Sequence, residues 1–194
     1  MSARVASPVA TGLRPGRTVQ SSALRWLPTF AGFPLGAVAA KLVAGPIDDL
    51  TAAVVGGAIS GAVLGAAQGT SLFGRTRPAV GWALATAAGL AAGLGLGSEL
   101  VGHGTQLSDL ALQGAVSGAG IGLAQAIVLR RAAAPLATVW PVALAALWAL
   151  GWSITTAIGV DVEAQYTVFG SSGALVVTLV TAALPATLAA RSQA

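Results

Sequence analysis

Cysteine is absent, which excludes disulfides, thiolate nucleophiles and zinc–cysteine sites. A single histidine, His103, leaves no His-rich metal cluster, and neither a metal nor a cofactor is expected. Charge is scarce as well: 8% of the 194 residues are charged, against about 25% in soluble domains. Only one of the ten basic residues, Lys41, is a lysine. Aromatic residues make up 5%, and no basic stripe interleaves with them, so nucleic acid is excluded as a partner. Disorder needs low hydrophobicity and high charge, whereas this chain is 55% hydrophobic. Its 26 glycines follow no three-residue period, which excludes a collagen-like helix. What remains is an all-α, multi-pass membrane protein whose first partner is the lipid bilayer.

A hydrocarbon core of about 30 Å takes about 20 apolar residues in helix. Six stretches meet that need: 23–44, 50–72, 79–98, 107–129, 135–157 and 165–188. Gly45-Pro46-Ile47-Asp48-Asp49, Gly74-Arg75-Thr76-Arg77-Pro78 and Arg130-Arg131 before Pro135 separate consecutive spans. The charges then sort by side. Arg4, Arg14, Arg17, Arg25, Arg75, Arg77, Arg130, Arg131 and Arg191 fall together; Asp48, Asp49, Glu99, Asp109, Asp161 and Glu163 fall opposite. Basic residues concentrate in cytoplasmic loops, so both termini are expected in the cytoplasm. An odd number of spans would scramble this segregation. Residues 1–22 are basic, acid-free and broken by Pro8, Gly12, Pro15 and Gly16, which reads as a mobile cytoplasmic tail preceding one transmembrane domain over 23–190. The Arg bias beside abundant Ala, Gly, Leu and Val suits a high-GC bacterium, hence its inner (plasma) membrane.

Span two and span four match in register. Gly57-Ala58-Ile59-Ser60-Gly61 corresponds to Gly114-Ala115-Val116-Ser117-Gly118, and Gln68 to Gln125, all at an offset of 57 residues. Gly32 and Gly36 stand 57 residues before Gly89 and Gly93. The unit is therefore a two-helix hairpin present three times, over 23–72, 79–129 and 135–188. Two spans return the chain to one side, so the copies are parallel and related by an axis along the membrane normal. A closed bundle with pseudo-threefold symmetry is the expected architecture.

The segment Gly122-Leu123-Ala124-Gln125-Ala126-Ile127-Val128-Leu129-Arg130-Arg131, followed by a Trp- and Ala-rich span, resembles a loose group of small bacterial multispan proteins of high-GC, actinobacterial type. Their Gly-rich hairpin helices end in Gly-x-Ala-Gln and then a Leu-Arg step. Many carry Trp directly after the Gln, where this chain has Gly69 and Ala126. The resemblance covers most of 50–185 and implies a fold, with no activity attached.

Gly57, Gly61 and Gly65, then Gly89 and Gly93, then Gly114, Gly118 and Gly122 recur every four residues, forming narrow stripes on single helix faces. Lipid offers no hydrophobic drive between helices, so close backbone approach must hold them together. The stripes serve packing within the chain or docking of another subunit. Gln68 and Gln125 either bond across helices or, with Ser60 and Ser117, line an inner passage. Lys41, the one cation on the acidic side, is expected to pair with Glu99 or with Asp48 or Asp49, or to reach the headgroups. Trp26, Trp82 and Trp140 read as interfacial anchors.

No nucleophile, base or carboxylate pair stands at membrane depth, so an enzyme is not expected. The best-fitting function is a non-catalytic helix-packing or assembly component, with a membrane-protein partner or a second copy. The alternative is a small-solute transporter or pore formed around the threefold hairpins.

Overall fold

A computed structural model of the chain describes residues 18–162 and 170–191. All of its regular structure is helical: α1 (Val19–Trp26), a 3-10 segment (Leu27–Ala31), α2 (Gly32–Ala44), α3 (Leu50–Phe73), α4 (Arg77–Leu100), α5 (Leu107–Ala157), α6 (Ser171–Thr181) and α7 (Ala183–Arg191). Five helical stretches among these residues are long and apolar enough to cross a membrane: Val19–Ala44, Leu50–Phe73, Arg77–Leu100, Leu107–Ala157 and Ser171–Arg191.

The first helix begins earlier than composition indicates. Thr18 accepts from the Ser21 backbone N–H at 3.1 Å and caps α1, so Val19–Ser22 are helical rather than part of a tail. The remainder of that tail, together with Glu163 and the start of the sixth span, lies outside the described residues. Asp49 caps α3, accepting from Ala52 N at 2.7 Å. Gly45 and Gly74 end α2 and α3 at φ +77° and +73° with ψ near −155°, a conformation essentially restricted to glycine.

Arg130-Arg131 and Pro135 do not open a loop. Two helices meet there across a sharp kink, with Ala133 non-helical between them at φ −157° and ψ 73°. That position leaves Pro135 in the first turn of the following segment, where its missing N–H has no helical partner to lose. The segments before and after Ala133 lie antiparallel against each other. Gly114 meets Trp148 and Trp152, Gly118 meets Leu144, and Gly122 meets Pro141.

Packing follows chain order: α2 on α3, α3 on α4, α4 on α5 and α5 on α6. The order closes where α1 packs on α7, bringing the two ends of the described chain together. The buried apolar core gathers at the end of the bundle that carries the arginines. Trp26, Trp82, Trp140, Leu129, Leu184 and Leu188 are among its members.

Candidate functional site

Every glycine of the stripes is spent on a neighbouring helix. A Cβ added to Gly57 would lie 2.8 Å from the Leu90 carbonyl oxygen, and one added to Gly61 2.6 Å from that of Thr86. Gly65 abuts Thr86 and the Ala83 backbone, so the α3 stripe as a whole seats on α4. Gly89 and Gly93 seat in turn on Gly120, Ile121 and Ser117 of α5, while Gly114, Gly118 and Gly122 seat across the Ala133 turn.

Toward the arginine end, indoles and amides form a belt. Trp82 Nε1 donates to Gln68 Oε1 at 3.2 Å, Trp140 Nε1 to Gln125 Oε1 at 2.9 Å, and Trp26 Nε1 to Thr181 Oγ1 at 3.0 Å. Gln125 Nε2 donates to Thr86 Oγ1 at 2.9 Å and to Gln68 Oε1 at 3.4 Å, linking two of these pairs. The three tryptophans are therefore not lipid-facing anchors. They are 1%, 0% and 6% exposed, because each indole N–H finds an acceptor inside the bundle.

The opposite end holds a cavity of about 290 Å³, walled by residues of α2 to α6. Lys41, Gly45, Ile47, His103, Thr105 and Val162 stand at the loop ends; Ser60, Ser98, Gln113, Ser117, Thr155, Trp148 and Trp152 line it further in. Leu64, Leu90 and Val177 line its inner part, each one helical turn before a belt residue: Gln68 follows Leu64, and Thr181 follows Val177, while Thr86 precedes Leu90 on the oppositely directed α4. Leucines and a valine thus separate the cavity from the belt.

Polar groups in this wall are unevenly satisfied. Ser60 Oγ donates to the Gly36 carbonyl at 3.1 Å, and Gln113 Nε2 donates to Ser98 Oγ at 3.0 Å. Thr155 Oγ1 and Ser172 Oγ bond at 3.1 Å. Ser117 is 1% exposed, and among the described residues neither its Oγ nor His103 Nε2, both shut off from solvent, has a partner. A buried polar atom left unbonded costs about 1–3 kcal/mol. His103 also sits at φ 59°, a left-handed conformation few side chains adopt.

Of the residues singled out in the sequence, Ser60 and Ser117 are in the cavity wall, whereas Gln68 and Gln125 are in the belt beyond it. Lys41 lies at the cavity mouth, and Glu99 is exposed at the end of α4. Sequence reasoning passed over Ser98, Gln113 and Thr155. A signal for two of them existed, since Ser98 and Thr155 are 57 residues apart, the same interval as Gln68 and Gln125. Comparison with known proteins finds no matching family model, no matching curated protein and no matching solved structure.

Proposed function

We propose that the chain is a six-crossing protein of a bacterial inner membrane, with both termini cytoplasmic, that admits a small solute from the outer side into the cavity. Six crossings follow if the membrane cuts α5 twice. At 1.5 Å per residue its 51 residues would extend about 75 Å, more than twice a hydrocarbon core, and its halves are antiparallel. Arg25, Arg75, Arg77, Arg130, Arg131 and Arg191 then share the inner side, opposite Asp48, Asp49, Glu99, Asp109 and Asp161. The hairpins act as three parallel repeats, and Trp26–Thr181, Trp82–Gln68 and Trp140–Gln125 are equivalent bonds around their axis.

The observation that carries the solute reading is the cavity itself, walled by residues of α2 to α6 at the end away from the arginines. An assembly role drew its support from the glycine stripes, and those faces are occupied within the chain.

The cysteine-free sequence suits a direct test by single substitutions. Asp48→Cys and Asp161→Cys should react with a membrane-impermeant maleimide on intact cells. Arg75→Cys and Arg131→Cys should react only after permeabilisation. Ser60→Cys should be modified from outside by a small methanethiosulfonate reagent. Labelling of Arg131→Cys from outside would sink the six-crossing topology. An inert Ser60→Cys beside a reactive Asp48→Cys would sink the outward-open cavity.

A further inference from the structure

We propose that the solute is a hydrocarbon chain, the acyl chain of an outer-leaflet lipid that enters the cavity sideways between α2 and α6. The inference rests on the outward-open cavity proposed above. Two of the three faces between the repeated hairpins are zipped by glycine. Gly57, Gly61 and Gly65 seat α3 on α4; their counterparts 57 residues on, Gly114, Gly118 and Gly122, seat the first half of α5 on the second. A third zipper, closing α6 on α2, would use the next set at the same interval: Ser171, Leu175 and Leu179.

Leucines cannot let two helix backbones meet as glycines do. By the repeat, Leu175 stands to Thr29 and Phe30 as Gly61 stands to Thr86 and Ala87. At Gly61 even an added Cβ would come within 2.6 Å and 2.8 Å of backbone atoms of those two residues. Accordingly Leu175 is 46% and Leu179 53% exposed, whereas the six glycines are all buried. At the arginine end, α1 packs on α7 and holds the first and last hairpins together. Beside the cavity, α2 and α6 touch only slightly. The bundle is thus parted on one side, toward lipid.

The cavity leans to that side. Ala37, Leu94 and Gly151 are one set of counterparts in its wall, and Gly56, Gln113 and Gly170 are another. The second hairpin fills its share of the space with Leu94 and Gln113, while the first and third supply alanine and glycine. Room is therefore left where the first and third hairpins face each other, which is the α2–α6 side. The wall is mainly apolar, with Leu64, Leu90, Leu110 and Val177 among its members. Such a space favours hydrocarbon over water. About 290 Å³ takes roughly ten groups of about 30 Å³, the share of one water and close to that of one methylene. That is a length of one chain, not a whole lipid. Lys41 stands at the mouth, where an ammonium meets the phosphate of the lipid whose chain has entered.

The test uses the full chain in phosphatidylcholine liposomes doped with phosphatidylcholine that carries a diazirine midway along one acyl chain. After irradiation, adducts are mapped by peptide mass spectrometry. Adducts at Ala37, Gly151, Ala174 or Val177, inside the cavity, should reach at least a fifth of the yield at Leu35 and Val142, which are exposed on the outside. Leu175→Gly with Leu179→Gly completes the third zipper and should lower the interior adducts at least fivefold, leaving those at Leu35 unchanged. A folded double variant that keeps its interior adducts overturns the α2–α6 route. A short alkyl diazirine dissolved in the water, added to undoped liposomes, separates the sources. Interior adducts from it, with none from the doped lipid, overturn entry from the leaflet. Exterior adducts alone, beside a Ser60→Cys that reacts with a methanethiosulfonate reagent, overturn the hydrocarbon ligand and leave the cavity open to water. Exterior adducts alone, with Ser60→Cys inert and Asp48→Cys reactive, overturn the outward-open cavity itself.

Discussion

Gly61→Leu is expected to leave no folded protein extractable in mild detergent, and Gly61→Ala to lower stability by about 1–3 kcal/mol. The Cβ at this position would come within 2.6 Å of the Thr86 carbonyl oxygen and 2.8 Å of Ala87 Cα. Both are backbone atoms of the facing helix, so no rotamer change makes room. The only response is to part α3 from α4. In lipid the parted faces gain nothing from burial, and the dispersion contacts along the seam are lost together. Gly81, also helical, serves as the control because an added Cβ there meets nothing within 4 Å. Gly81→Ala should hold or raise stability by up to about 1 kcal/mol through helix propensity. Thermal unfolding followed by size-exclusion chromatography separates the two. Equal midpoints for Gly61→Ala and Gly81→Ala would remove the case for a close-packed seam.

The four-residue glycine spacing was legible because the helical period alone places those residues on one face. Which helix each stripe would meet was not legible, since a stripe of glycines names no partner. Gly89 seats against Gly120, a residue outside the stripe of its own helix, and only the fold brings them together. The three tryptophans show a related limit. Their level along the bundle could be read from their nearness to span ends, but their azimuth could not. An indole near a span end suits either headgroups or a buried acceptor, and the acceptors Gln68, Gln125 and Thr181 decide for the interior. Ser60 and Ser117 stood out through their place beside repeated glycines. Gln113 precedes Gly114, but the residue 57 positions before it is Gly56, so the repeat did not mark it; in the fold it meets Ser98 of α4. At Ala133 the charges and the proline marked the right neighbourhood for a turn, while the compactness of that turn depended on the glycine faces either side of it.

Gln125→Leu is expected to cost about 2 kcal/mol and to couple to Trp140 more strongly than to any lipid-facing residue. Leucine fills nearly the same volume, so the loss is one of bonding rather than of packing. The Gln125 carbonyl is the acceptor for the Trp140 indole at 2.9 Å, in a site where Trp140 is 6% exposed. Without it the indole N–H is buried away from water and headgroups. The Gln125 amide also donates to Thr86 Oγ1, which in turn donates to the Trp82 carbonyl at 2.8 Å. Removing one side chain therefore touches both halves of α5 and both helices of the preceding pair. Trp140→Phe deletes the donor instead, so in that background Gln125→Leu should cost about 1 kcal/mol less than in the wild type. Single hydrogen bonds between membrane helices average about 0.6 kcal/mol, and a coupling above that value marks the orphaned indole as the larger part of the loss. The cycle is read from unfolding free energies in mixed detergent micelles. A coupling near zero would mean that the belt's bonds are incidental to its packing. A measured coupling would instead make Trp140–Gln125 a latch across the Ala133 turn, as Trp26–Thr181 is between α1 and the end of α6.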